Sequence, residues 1–264
     1  MIGVSMQPTA TVGEKHGLLR VDSLSRSFGG VKAVVDVSFD VPARGITGLI
    51  GPNGAGKSTA LGIVAGDIRQ SSGRVTFDGR DISDYAPHRR AQLGLVRTFQ
   101  MSGEFGKLTV LENLITAVPT VGESVTGALL RKPVWRTALD ATIARALELL
   151  DRFDMANKTD TWASDLSGGQ KRLVEIMRGL MANPKLLLLD EPMAGVNPAL
   201  RKRIETHLLE LRDDGLPMLM IEHELSVVER CCGHVIVMAR GLKLAEGTMA
   251  DHRANEAVRS AYLA

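Results

Sequence analysis

The string Gly51-Pro52-Asn53-Gly54-Ala55-Gly56-Lys57-Ser58-Thr59 fills every fixed position of G-x-x-x-x-G-K-[ST]. Such a loop does phosphate chemistry. Its glycines permit a tight turn whose successive amide N–H groups point at phosphate oxygens, and the following helix adds its positive N-terminal end. Lys57 is placed to bridge the β- and γ-phosphates of a nucleoside triphosphate, and Ser58 to give a hydroxyl ligand to Mg²⁺.

Two further strings carry complementary chemistry. Leu186-Leu-Leu-Leu-Asp190-Glu191 is an apolar run that ends in two carboxylates. Asp190 at a strand's carboxyl end suits Mg²⁺ coordination, and Glu191 is placed to polarise an attacking water. Leu166-Ser167-Gly168-Gly169-Gln170 reads as a helix start with Ser167 as N-cap. Its glycine-freed amides, its hydroxyl and the helix terminus make a second phosphate-binding surface. A guanine-reading alternative has apparent support in Asn157-Lys-Thr-Asp160 and Asp165-Leu-Ser-Gly168. In GTPases the second pattern precedes the first, and N-K-x-D ends a strand; here the order is reversed and the preceding segment, 146–155, reads as an amphipathic helix.

The elements that must position these residues are those of an α/β chain. Residues 18–24 and 34–41 read as strands, 45–50 as an apolar strand leading into the glycine loop, and 57–65 as the helix after it. Residues 75–77 and 93–99 read as further strands. From about 109 the spacing of apolar residues turns helical at Val110, Leu111, Leu114 and Ile115. It does so again at Leu139, Ile143, Leu147 and Leu150, after a loop holding Gly122, Gly127 and Pro133. The block 101–163 is therefore the expected helical subdomain. Beyond it lie a helix over 171–181, buried strands at 186–189 and 217–221, a helix at 198–212, and a closing hairpin, 235–238 with 242–245.

Bulk properties set the class. The 264 residues, 44% apolar and 23% charged, suit one folded domain spanning 18–264, with residues 1–17 as an extension lacking signal-peptide character. A net charge of +2 gives no reason to expect nucleic acid as partner. Cys231 and Cys232 are adjacent, which rules out an ordinary loop-closing disulfide and fits a reducing setting. No stretch approaches the ~18 apolar residues of a membrane span, so work at a membrane requires another chain as anchor.

Taken in order, the glycine loop, Gln100 ending a strand, a helical block, L-S-G-G-Q, L-L-L-L-D-E and His223 after an apolar strand resemble the ATP-binding cassette (ABC) family over nearly the whole chain. The resemblance implies a P-loop ABC ATPase core with an antiparallel β subdomain and a helical subdomain, using ATP and Mg²⁺. It also implies roles. Phe28 stacks on adenine, in place of the commoner Tyr; Gln100 touches Mg²⁺ or the attacking water; Glu191 is the general base; His223 contacts the γ-phosphate. Ala194-Gly195-Val196-Asn197 stands where S-A-L-D is usual, keeping an acceptor and losing a charge. One chain carries one P-loop and one L-S-G-G-Q. The family's complete site therefore pairs two chains head-to-tail, identical or not, with Ser167 and Gly169 reaching the partner's γ-phosphate.

Four shorter strings narrow the resemblance: Arg97-Thr-Phe-Gln100, Glu191-Pro-Met-Ala-Gly-Val-Asn-Pro198, Ile221-Glu-His-Glu224 and Ala261-Tyr-Leu263. They resemble the ATP-binding subunits of branched-chain amino acid importers. Urea and amide importers and the lipopolysaccharide-export ATPase look similar, and a soluble, non-transport ABC ATPase is the alternative from another class. The expected setting is the cytoplasmic face of a membrane, peripheral, bound to integral permease subunits through residues 101–132.

Overall fold

The computed structural model describes residues 17–98, 105–118 and 132–263. In them, β1 (Leu19–Phe28), β2 (Val31–Val41), β4 (Ser72–Phe77) and β5 (Arg80–Asp81) form an antiparallel sheet in the order β2-β1-β4-β5. A second sheet contains β3 (Ile46–Ile50), β6 (Leu95–Arg97), β7 (Leu186–Asp190), β8 (Met218–Ile221), β9 (His234–Ala239) and β10 (Leu242–Gly247). Its order is β10-β9-β3-β8-β7-β6, parallel except for β10. The β9–β10 turn sets Arg240 at φ 51° and Gly241 at φ 81°, the paired positive values a tight hairpin needs.

The continuous apolar runs follow from burial of the second sheet on both faces. Along β7, Leu187 and Leu189 enter one core while Leu186 and Leu188 enter another. The same alternation holds for Met218 and Met220 against Leu219 and Ile221, and for Val235 and Val237 against Ile236 and Met238. A period of two with both faces dry leaves no polar position to mark the strand.

One core joins this sheet to the antiparallel sheet through helix α1 (Lys57–Ala65). The other joins it to α3 (Val110–Ile115), α4 (Lys132–Arg152), α5 (Gly168–Met181) and α6 (Pro198–Asp213). The short α2 (Pro87–Gln92) carries a buried arginine that ends α1: Arg90 donates to Ile63 O at 2.7 Å and Val64 O at 2.8 Å. Ile63 O also accepts from the Gly66 N–H at 3.1 Å, so the guanidinium and the glycine cap together satisfy the helix end, and burial lowers the pKa of the guanidinium.

Several boundaries differ from the sequence expectation. Pro133 lies in the first turn of α4 rather than in the loop before it, where a missing N–H costs no helical hydrogen bond. The strand expected over 93–99 is only β6, because Leu93 and Gly94 close α2 and Gly94 takes φ 97°. β1 and β2 run beyond the expected 24 and 34, pairing as far as Phe28 with Val31. α2, α7 (Leu225–Cys231), α8 (Met249–Ala254) and α9 (Glu256–Leu263) have no counterpart in the sequence expectation. Gly122 and Gly127, residues 1–16 and much of segment 101–132 lie outside the described residues.

Candidate functional site

β3 runs straight into the glycine loop, and two of the loop's glycines are pressed against neighbours that leave no room for a side chain. A Cβ on Gly51 (φ 150°) would meet Met238 O at 2.0 Å, and one on Gly56 (φ 98°) Ala33 O at 2.3 Å. The hairpin clamps the loop from the side: Gly241 N donates to Ala55 O at 3.0 Å, and Val35 N to Gly241 O at 2.8 Å. Asn53, Gly54 and Ser58 face solvent at the turn, Thr59 is half-buried, and Ala55 is buried. Lys57 is buried, and its ammonium donates to Gly51 O at 2.8 Å and Pro52 O at 3.1 Å. Burial lowers its pKa, while Glu191 and Asp190 pull it back up. The lysine charge is therefore within electrostatic reach of the two carboxylates.

Those carboxylates leave the carboxyl edge of the same sheet. Asp190, its side chain wholly buried, accepts from Arg97 Nη2 at 2.8 Å through Oδ2; its Oδ1 is buried with no hydrogen-bond partner among the described residues. Glu191 takes φ 49°, a left-handed conformation rare outside glycine, and its N–H donates to Ile221 O at 3.1 Å. Because Asp190 pairs with Ile221 across β7 and β8, the next residues emerge side by side. Glu191 Oε1 and His223 Nε2 are 2.7 Å apart and partly exposed. A carboxylate held by an imidazole on an open edge, one residue from a buried carboxylate and within electrostatic reach of a buried lysine, can orient and deprotonate a water beside a phosphate.

Two residues of this site had no assigned role in the sequence reading. Arg97 and Glu222 stand only inside the family strings Arg97-Thr-Phe-Gln100 and Ile221-Glu-His-Glu224. Glu222 is buried, accepts from Met193 N and His223 N at 3.2 Å each, and is raised in pKa by desolvation. It fastens the loop after Glu191 to the loop carrying His223. The only signal for it was a carboxylate directly following an apolar strand.

Ser167–Gln170 is built as expected but apart from this edge. Ser167 Oγ accepts from Gln170 N at 3.4 Å, and Ser167 N donates to Gln170 Oε1 at 2.9 Å, a complete capping box. Ser167 and Gly168 are exposed. Gly169 packs so tightly on α6 that a Cβ there would sit 2.0 Å from Leu200 Cδ2. Among the described residues no hydrogen bond joins this segment to the P-loop. Asn197 uses the acceptor it retains: Oδ1 takes Leu200 N at 3.0 Å and caps α6. Phe28 ends β1 with an exposed ring, over which the Arg26 guanidinium lies 4.6 Å from the centroid. Gln100 lies outside the described residues. Asn157 sits in a short 3₁₀ turn, Ala156–Lys158, and not at a strand end, which removes the guanine-reading alternative.

The ABC transporter family model matches residues 34–194. A probable branched-chain amino acid transport ATP-binding protein of Archaeoglobus fulgidus is 38% identical over 93% of this chain and 95% of its own length. A lipopolysaccharide export system ATP-binding protein of Haemophilus influenzae is 37% identical over 93% and 97%. A solved ATP-binding cassette of an ABC transporter in its ADP conformation superposes with a TM-score of 0.79, at 36% identity over 93% of this chain and 98% of that one. Sheet order, P-loop and the paired carboxylates agree with that likeness, and the chain belongs to the ABC transporter family as one of its ATP-hydrolysing subunits.

Proposed function

We propose that this chain powers the passage of branched-chain amino acids through a separate membrane permease, by closing on ATP with a second cassette and opening on hydrolysis. The observation that carries the catalytic part is the 2.7 Å contact between Glu191 and His223 beside buried Lys57 and Asp190. In this reading the P-loop amides and Lys57 hold the β- and γ-phosphates. Glu191 takes the proton of the attacking water, and His223 keeps Glu191 in place and meets the γ-phosphate. Gln100 would join from the segment after β6, and Phe28 would offer its exposed ring to adenine.

Mg²⁺ fits the residues present. The unpartnered, buried Asp190 Oδ1 is an acceptor in want of a cation, and the Ser58 hydroxyl opens the helix at the loop. Among the described residues no three His, Cys, Asp or Glu side chains form a metal cage. Asp190 and Ser58 would hold the cation, with phosphate oxygens supplying further ligands. When bound, Mg²⁺ would neutralise charge on the β- and γ-phosphates.

The second half of the site would come from a partner cassette, whose Ser167–Gln170 segment would face this P-loop. Identical and non-identical partners serve equally. The exposed capping box supports this, since it offers phosphate-binding groups that the chain's own P-loop does not use. No helix among the described residues is long and apolar enough to cross a membrane, so attachment at the cytoplasmic face would run through permease subunits. A cleft of about 400 Å³ between α2, β6, α3 and α5, lined by Pro87, Val96, Arg97, Ala117 and Arg178 among others, suits a short permease helix. The substrate class rests on the archaeal relative and the four short strings; the export relative supplies the second reading.

Co-expression with a branched-chain amino acid permease tests both. ATPase activity in proteoliposomes should rise with a leucine-loaded binding protein and be indifferent to lipopolysaccharide. Stimulation by lipopolysaccharide alone would move the chain to the export class.

A further inference from the structure

Arg97 has no part in the chemistry described so far, yet it is the only described side chain bonded to Asp190. Its guanidinium forks: Nη2 reaches Asp190 Oδ2 at 2.8 Å, and Nη1 reaches Asp67 Oδ2 at 2.5 Å. The three residues come from three elements. Asp190 ends β7, Arg97 ends β6, and Asp67 follows the Gly66 cap of α1, the helix that opens at the P-loop. Exposure falls along the chain of charges, from 41% at Asp67 through 18% at Arg97 to 0% at Asp190. A planar guanidinium orients a buried carboxylate by directional, charge-assisted hydrogen bonds. Here the fixed oxygen is Oδ2. Oδ1 is thereby the oxygen left for another ligand.

We propose that Arg97 is a positioning residue for the metal ligand: the Asp67–Arg97–Asp190 bridge sets the Asp190 carboxylate so that Oδ1 faces the Mg²⁺ of bound nucleotide. This rests on Asp190 being that ligand, as proposed above. The bridge also ties the ligand to the helix of the P-loop, since α1 carries Lys57 and Ser58 at its start and leads to Asp67 past its end. Asp67 and Arg97 both line the cleft beside β6. A segment seated there lies against the guanidinium that holds the carboxylate.

The test is a Mg²⁺ titration of fluorescent ATP binding, with an EDTA arm, in the Glu191→Gln background so that nucleotide is not turned over. Arg97→Met should raise the half-saturating Mg²⁺ concentration by roughly 10–100-fold, the usual consequence of losing a residue that orients a ligand. Metal-free binding should stay as in the parent. Arg97→Lys keeps the charge without the fork and should recover part of the shift. Asp67→Asn leaves the Arg97–Asp190 bond and should give a smaller shift in the same direction; if Arg97→Met fails to fold, this exposed-side variant decides by the presence or absence of that shift. An unchanged or lower Mg²⁺ requirement, or an equal loss with and without Mg²⁺, overturns the proposal. Asp190→Asn separates the underlying reading: it should abolish the Mg²⁺ dependence, and persistence of that dependence would remove Asp190 as ligand whatever Arg97 does.

Discussion

The Lys57–Asp190–Glu191–His223 edge and the Ser167–Gln170 helix start differ in how much of their chemistry the chain completes for itself. At the first, four charged or ionisable groups from two strand ends and a helix start come together, two of them buried and one held at a left-handed φ. At the second, the groups are neutral, Ser167 and Gly168 are exposed, and a capping box holds the segment in shape through the Ser167 and Gln170 N–H groups. Buried charge must be paired inside the molecule, so the first region is fixed by folding. A helix terminus with a serine hydroxyl tolerates water and can wait for an anion. The first region is thus built to hold and cut a phosphate, and the second to recognise one presented by another chain.

The largest effects should fall on the first region. Glu191→Gln removes the base and keeps the shape, so turnover should drop by about 10²–10⁴-fold, the usual share of general-base catalysis. Nucleotide binding should persist, measured by equilibrium binding beside a phosphate-release assay. Hydrolysis at the parent rate would remove Glu191 as base.

A mixing experiment tests the contrast itself. Lys57→Met should abolish ATP binding by the single chain. Ser167→Ala should leave that binding intact and weaken ATP-dependent pairing by roughly 10–100-fold, as expected for a hydrogen bond to a charged phosphate at about 1.5–3 kcal/mol. Mixing the two variants creates one composite site from the good P-loop of one chain and the good helix start of the other. Nucleotide should then be trapped in a heterodimer that neither variant forms alone. Failure of the mixture to trap nucleotide would argue that each chain is self-sufficient.

What the sequence made legible follows the same division. The P-loop and the capping box are contiguous strings whose geometry is local, so their residues could be named without the fold. The strand ends bearing Asp190 and His223 were legible because burial on both faces leaves uninterrupted apolar runs. Arg97 was not, since its partner Asp190 lies 93 residues away, nor was Glu222, 29 residues from Met193. A polar contact that depends on strand order leaves no periodic mark. Likewise β1 was cut short at Leu24, because Ser25, Arg26 and Ser27 lack the apolar alternation that register with β2 makes unnecessary.

A smaller effect should separate base recognition from phosphate recognition. Phe28→Ala should weaken ATP by about 1 kcal/mol, the scale of an aromatic stacking pair, or roughly 5-fold in Kd. Inorganic triphosphate, which has no base, should bind the variant as it binds the parent. An equal loss for both ligands would show that Phe28 supports the loop and does not stack. The Arg26 guanidinium already on the ring makes the result sharper, since Arg26→Ala should free a face and leave stacking intact.

The smallest effect concerns Glu222 and is read in stability. Its folded pKa is raised by burial, so protonation favours the folded state: the contribution is fully present below the unfolded carboxylate pKa and is lost as pH rises through the folded value. Glu222→Gln keeps an acceptor for Met193 N or His223 N and cannot ionise. The parent's Tm should therefore fall relative to the variant's as pH climbs from the ordinary carboxylate range toward neutrality, and the two curves should run parallel once Glu222 is fully ionised. Curves parallel throughout would mean that the Glu222 charge is met in the folded state by groups other than the two amides. The first region would then be less dry than its geometry implies, and its contrast with the exposed helix start would rest on Asp190 and Lys57 alone.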